Sequence, residues 1–239
     1  MQEETIEEIH KPSILQEYYV YLEDMRVLLY QSTILFIITF IVGFIFSGKI
    51  IQLFLTLFDI KSVSVVVTSP FQFLDLATDI SLFIALFISI PFTIIRIYMF
   101  LRPAISKSEL RSFFFAIPIS FILFIFGTLY GFTSLYYGLQ IIAQVNVSFG
   151  LQNLWDVGTF IAQLSTTAVI LGGLFQFPLF IFLLSKLGIV TRKMLVHRRK
   201  IAYSTIIIVV ALLPPTDGLS LIIMSLPLII LYELMILFS

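Results

Sequence analysis

The sequence has no cysteine, only two histidines and one tryptophan, and charged side chains on just 12% of its 239 residues. Without cysteine there is no disulfide framework, no thiolate metal site and no cysteine nucleophile. The histidines, His10 in the N-terminal arm and His197 between apolar runs, both fall in polar segments expected in the cytoplasm. No pair of histidines at zinc-ligand spacing exists, and a Ser–His dyad inside a membrane is excluded. The chain also lacks a Walker lysine loop, a dinucleotide-type glycine motif and a nucleophile elbow. ATP-driven and hydrolytic chemistry therefore have no residues to carry them, and nothing calls for a cofactor or metal. The reading is of a protein that is not an enzyme. The formal net charge of zero gives no sign of nucleic-acid binding.

What the chain does have is apolar sequence: 59% of its residues are hydrophobic. Long apolar runs lie near 27–46, 80–101, 113–138, 158–187, 201–213 and 219–238. A bilayer span needs about 20 such residues, so the six runs use nearly the whole chain. Of the 14 Lys and Arg residues, only Lys49 and Lys61 fall in loops that an even alternation puts outside. Cytoplasmic loops collect Lys and Arg. The expectation is an all-α polytopic membrane protein, one domain over 1–239, with six transmembrane helices and both ends in the cytoplasm.

Residues 1–12 read as a charged arm, and 13–26 as an amphipathic helix at the cytoplasmic surface. Ile14, Tyr18, Leu22 and Met25 recur there at helical spacing. The acidic start, with Glu3, Glu4, Glu7 and Glu8, is not that of a cleavable signal peptide. The first span is expected to end near Ser47-Gly48-Lys49. Ile50–Phe58 suits an interfacial helix and Val63–Val67 a short extended segment. Trp155, in an outer loop over 139–157, suits an interfacial anchor. The fifth run, 201–213, is about 20 Å long as a helix, short of the ~30 Å hydrocarbon layer. It stops at Pro214-Pro215. No strong internal repeat supports an inverted-repeat transporter.

The polar groups in or beside the spans are few. Gln176, two residues before Pro178, has two readings: an interhelical hydrogen bond, or a contact for a partner helix. Glu233 lies near the cytoplasmic end of the last span and reads mainly as structural. Asp217, after the double proline, suits a helix N-cap together with Thr216. Glu109 completes an S-x-x-E capping box with Ser106. It is also the lone acid in a loop that holds Arg102, Lys107 and Arg111. With Glu23 and Asp24 it forms an acidic spot on a basic cytoplasmic face, suited to a cationic ligand or peptide.

Five stretches resemble the TatC family, the polytopic subunit of the twin-arginine protein translocase. Tyr21-Leu22-Glu23-Asp24-Met25-Arg26 resembles H-L-x-E-L-R. Ser69-Pro70-Phe71 matches S/E-P-F. Phe100-Leu101-Arg102-Pro103-Ala104-Ile105, through Glu109 and Arg111, resembles F-x-x-P-A-L-x-x-x-E-R-R. Phe175-Gln176-Phe177-Pro178 resembles F-E/Q-x-P. Leu213-Pro214-Pro215-Thr216-Asp217, with Pro227 and Glu233 downstream, resembles T-P-P-D followed by a proline and a closing F/Y-E. The chain departs from the pattern at Tyr21, Asp24, Val27, Leu28 and Leu110, and in one residue inserted before Asp217.

The resemblance implies a receptor for the twin-arginine signal peptides of folded proteins in a prokaryotic cell membrane, with an organellar membrane as a second setting. It also implies recruitment of single-span TatA/TatB-type subunits, assembly as a homo-oligomer, and transport driven by the protonmotive force. Carried over, Asp24 and Glu109 bind the arginine pair, with Glu23, Arg26 and Lys107 beside them. Gln176 and Pro178 lie where partner helices dock. Pro70, Pro103, Pro214, Pro215, Asp217 and Glu233 are the remaining motif positions. The readings set against this are a small-solute or ion transporter and an assembly scaffold.

Overall fold

The computed structural model describes residues 14–57, 63–102, 110–214 and 218–238. It is helical apart from one two-stranded sheet. α1 runs unbroken from Ile14 to Leu57, about 66 Å at helical rise. The surface helix, first span and interfacial helix expected separately are one rod. Ser47-Gly48-Lys49 does not end it, because no proline interrupts the stretch and the apolar run resumes at Ile50.

β1 (Val63–Val66) fulfils the extended segment read from its β-branched residues. α2 covers Gln72–Leu101 and contains Pro91; α3 covers Leu110–Ser148 and contains Pro118. Both outrun the apolar runs that announced them, α2 chiefly at its start and α3 chiefly at its end. α3 stops where Gly150 takes a φ of 76°. Gly150 N–H then bonds the Val147 carbonyl at 2.9 Å, and Leu151 N–H the Asn146 carbonyl at 3.0 Å. That is the paired Schellman closure, and its left-handed residue favours glycine.

β2 (Asn153–Asp156) pairs in parallel with β1, setting Trp155 beside Val65. α4 (Val157–Leu174) follows at once. The fourth apolar run does not form one helix: it divides at Phe175-Gln176, and α5 (Phe177–Lys186) continues it. Pro178 explains the break, since it has no N–H to give and disfavours helical backbone in the residue before it. Gly188, with φ 73°, closes α5 as Gly150 closes α3. Then come α6 (Arg192–His197), α7 (Arg199–Ala211) and α8 (Gly218–Phe238).

Among the described residues, five stretches are long and apolar enough to cross a membrane: 22–57, 72–100, 115–148, 157–186 and 218–237. α7, with 13 residues, is the short fifth segment of the sequence reading and falls below that length.

The core lies where α2, α3, α4 and α8 meet, around Ile80, Leu135, Ile161, Leu164, Leu171, Phe175 and Met224. α3 and α4 approach most closely at Gly131. A Cβ there would sit 2.7 Å from the Ala168 Cα, which no side chain tolerates. Small residues at a crossing let membrane helices gain van der Waals contact, because lipid supplies no hydrophobic drive between them. The outward face of α1, with Ile37, Ile38, Ile41 and Ile45 all exposed, is apolar in the way a lipid-facing surface requires.

Candidate functional site

Asp24 lies on the N-terminal third of α1, exposed, as are Glu23 and Arg26. At about 100° per residue, Glu23 and Arg26, three apart, share one face of the rod, and Asp24 stands off it. Asp24 alone of them lines a cleft of about 170 Å³ between α1 and the end of α2. Its other walls are Val27, Leu28, Arg96, Met99 and Phe100. The segment carrying Glu109 leaves α2 just past Arg102 and re-enters helix at Leu110. It therefore departs from the same end of the molecule that holds Asp24. Glu109, Lys107, Pro103, Pro215 and Asp217 lie outside the described residues, as do the capping box at 106–109 and the cap at 216–217.

Gln176 is buried and fully engaged. The Ser120 hydroxyl donates to its Oε1 at 2.7 Å, and its Nε2 donates to the Ser120 carbonyl at 2.7 Å. Of its two readings, the interhelical hydrogen bond is the one the structure displays, joining α3 to the α4–α5 break. Pro178 instead helps to wall an apolar cavity of about 290 Å³. Leu174, Ile181, Ile206, Val209 and Leu228 also line it, so it sits between the break, α7 and α8.

Glu233 is tied to α7 from two positions. Arg199 Nη2 reaches its Oε2 at 2.8 Å, and the Tyr203 hydroxyl donates to its Oε1. The ion pair is about one-third exposed on both sides. Pro214 accepts a hydrogen bond at its carbonyl from Thr167 Oγ1 at 2.7 Å, which anchors the end of α7 to α4. Pro70 stands in the turn before α2, where Gln72 N–H bonds the Ser69 carbonyl at 3.2 Å.

At the other end of the molecule, Asp156 organises a polar knot. It caps α4 by accepting from Thr159 N–H at 2.8 Å and Thr159 Oγ1 at 2.9 Å. It also accepts from Thr68 Oγ1 at 2.6 Å and from the Gln72 side-chain amide. Gln72 in turn accepts from Thr68 N–H at 2.7 Å. The Thr68 hydroxyl and then the Thr159 N–H hold the Asp156 carboxyl well below the usual carboxylate range.

Sequence reasoning passed over Asp156 and also Asp79. Placing the second span at 80–101 left Asp79 outside it. α2 begins at Gln72, so Asp79 stands two turns in, beside Ser165 and Thr166 of α4 in a small cleft. Among the described residues no group of three His, Cys, Asp or Glu side chains could hold a metal ion.

Residues 20–227 match the family model described as Sec-independent protein translocase protein (TatC). The chain belongs to the TatC family. It is 28% identical over 224 residues to the Sec-independent protein translocase protein TatC of Listeria innocua, covering 92% of this chain and 89% of that one. It is 25% identical over 220 residues to TatCy of Bacillus subtilis, covering 92% and 87%. A crystal structure of the twin arginine translocase receptor TatC in DDM superposes with a TM-score of 0.80 at 26% identity. That match covers 91% of this chain and 98% of the other. TatC membership makes this chain a multi-pass membrane component of a protein translocase and not an enzyme.

Proposed function

We propose that this chain is the signal-peptide receptor and core subunit of a twin-arginine translocase that exports folded proteins, driven by the protonmotive force. In this reading it lies in a prokaryotic plasma membrane with six spans and both ends in the cytoplasm. One observation carries the proposal: an exposed Asp24 lines a cleft at the end of the helical bundle from which the Glu109 segment departs. Two carboxylates, Asp24 and Glu109, suit a pair of arginines. A guanidinium meets a carboxylate through two parallel hydrogen bonds, whereas lysine offers only a point charge. The charge asymmetry of the loops supports a cytoplasmic setting for that end.

The apolar cavity beside Pro178 supports a second element of the proposal, the docking of single-span TatA/TatB-type subunits between α5, α7 and α8. Its walls offer shape and van der Waals contact, which is what drives helix association in lipid.

Export of a twin-arginine substrate tests the reading. Asp24→Ala and Glu109→Ala should each abolish export while the protein remains in the membrane. Normal export by the double variant contradicts the assignment of these residues.

A further inference from the structure

Arg96 lies on α2 about a turn and a half before the helix ends at Leu101. It shares the 170 Å³ cleft with Asp24, and the remaining walls, Val27, Leu28, Met99 and Phe100, carry no charge. One carboxylate and one guanidinium are thus the charged groups that line it. The Arg96 Nε–H is buried and has no hydrogen-bond partner among the described residues. No ion pair links Arg96 to Asp24 at 4 Å or less; the ion pair that the described residues form is Arg199–Glu233. The two charges face one small space and leave it open between them.

That arrangement has a direct electrostatic consequence. A positive charge beside a carboxylate weakens the carboxylate's hold on any other cation. An arginine on a long flexible stem can also swing aside when the space is filled.

We propose that Arg96 is the resident counter-charge of Asp24, opposing the approach of other cations to the open cleft and giving way to an arginine of the incoming signal peptide. The proposal rests on the reading of Asp24 as a peptide-binding acid, and it makes Arg96 a specificity-determining residue. A peptide arginine can meet the Asp24 carboxylate through two parallel hydrogen bonds, which offsets the opposing charge. A peptide lysine is a compact, strongly hydrated point charge and competes at a disadvantage. The resident cation therefore lowers affinity overall and widens the preference for arginine over lysine.

The test uses the full chain in lipid nanodiscs, titrated with a fluorescent signal peptide carrying Arg-Arg or Lys-Lys. Arg96→Gln should tighten the Arg-Arg peptide by about three- to tenfold, between the effects of an exposed and a buried ion pair. It should tighten the Lys-Lys peptide more, narrowing the ratio of the two affinities. Arg96→Lys, which keeps the charge, should stay near the parent affinity for Arg-Arg. Arg96→Met keeps the apolar stem and repeats the test should Arg96→Gln fold poorly. In an Asp24→Asn background, Arg96→Gln should change nothing, because the two act on one carboxylate.

Arg-Arg binding that depends on Asp24 but is unchanged or weaker in Arg96→Gln overturns the counter-charge and leaves the receptor reading standing. Arg-Arg binding indifferent to both Asp24 and Glu109 overturns the receptor reading, and the counter-charge with it.

Discussion

Gln176→Leu tests whether the only amide in the α4–α5 break is a structural link or a docking contact. Gln176 and Ser120 exchange two hydrogen bonds of 2.7 Å, and both residues are almost fully buried. In hydrocarbon each interhelical hydrogen bond contributes about 0.6 kcal/mol on average and up to ~1.7 kcal/mol. Losing both, with leucine close to glutamine in volume, should destabilise the protein by about 1–3 kcal/mol. Ser120→Ala removes only the hydroxyl donor and leaves the Ser120 carbonyl to accept from Nε2, so its effect should be about half as large. The double variant should fall short of the sum of the singles by more than the ~0.3–0.5 kcal/mol scatter of independent sites. Denaturant unfolding in bicelles, followed by the fluorescence of Trp155, reads all three. Export should fall only as far as the folded fraction falls. Gln176→Leu with parent stability but abolished export refutes the reasoning and makes Gln176 a partner contact.

Three further outcomes follow from the geometry. Gly131→Ala places a Cβ 2.7 Å from the Ala168 backbone and should cost about 1–3 kcal/mol by overpacking, read by thermal unfolding; Gly173→Ala, which meets nothing within 4 Å, is the control. Asp156 has a lowered pKa when folded. Its contribution is therefore complete above the ordinary carboxylate pKa and is lost as pH falls from there through the lowered folded value. Asp156→Asn should accordingly be less stable than the parent at pH 7 and approach it in acid, measured by unfolding at each pH. Glu233→Gln removes the charge that Arg199 meets at 2.8 Å; at this exposure it should cost about 0.2–1 kcal/mol, and protease sensitivity of the segment joining α6 and α7 reports it.

Much of the fold was legible because lipid imposes a simple rule. Apolar runs become helices when no water can satisfy a bare backbone, and five of the six runs became long apolar stretches. The β-branched run at 63–66 became β1. Boundaries were less legible, since polar residues on a long helix look like loop. Asp75 and Asp79 concealed the start of α2, and Asn146 and Ser148 concealed the end of α3. Ser47-Gly48-Lys49 resembled a stop, yet α1 runs through it without a break. The Pro178 break was visible as a proline but not as a division of the span.

Site residues divide along the same line. Gln176, Glu233 and Asp24 stood out as rare polar groups in apolar sequence. Their partners did not: Ser120 lies 56 residues from Gln176, and Arg96 meets the Asp24 cleft only through the packing of α2 on α1. Asp156 was hidden because two of its four donors, on Thr68 and Gln72, lie 88 and 84 residues away in the sequence.

The central claim is that Asp24 and Glu109 receive the arginine pair of a signal peptide. Val27, exposed on the wall of the Asp24 cleft, is the place for a photo-crosslinking residue in native membranes. A signal peptide with Arg-Arg should crosslink there and one with Lys-Lys should not, and the signal should vanish in Asp24→Ala and in Glu109→Ala. Equal crosslinking of the two peptides, or none of either, contradicts the account.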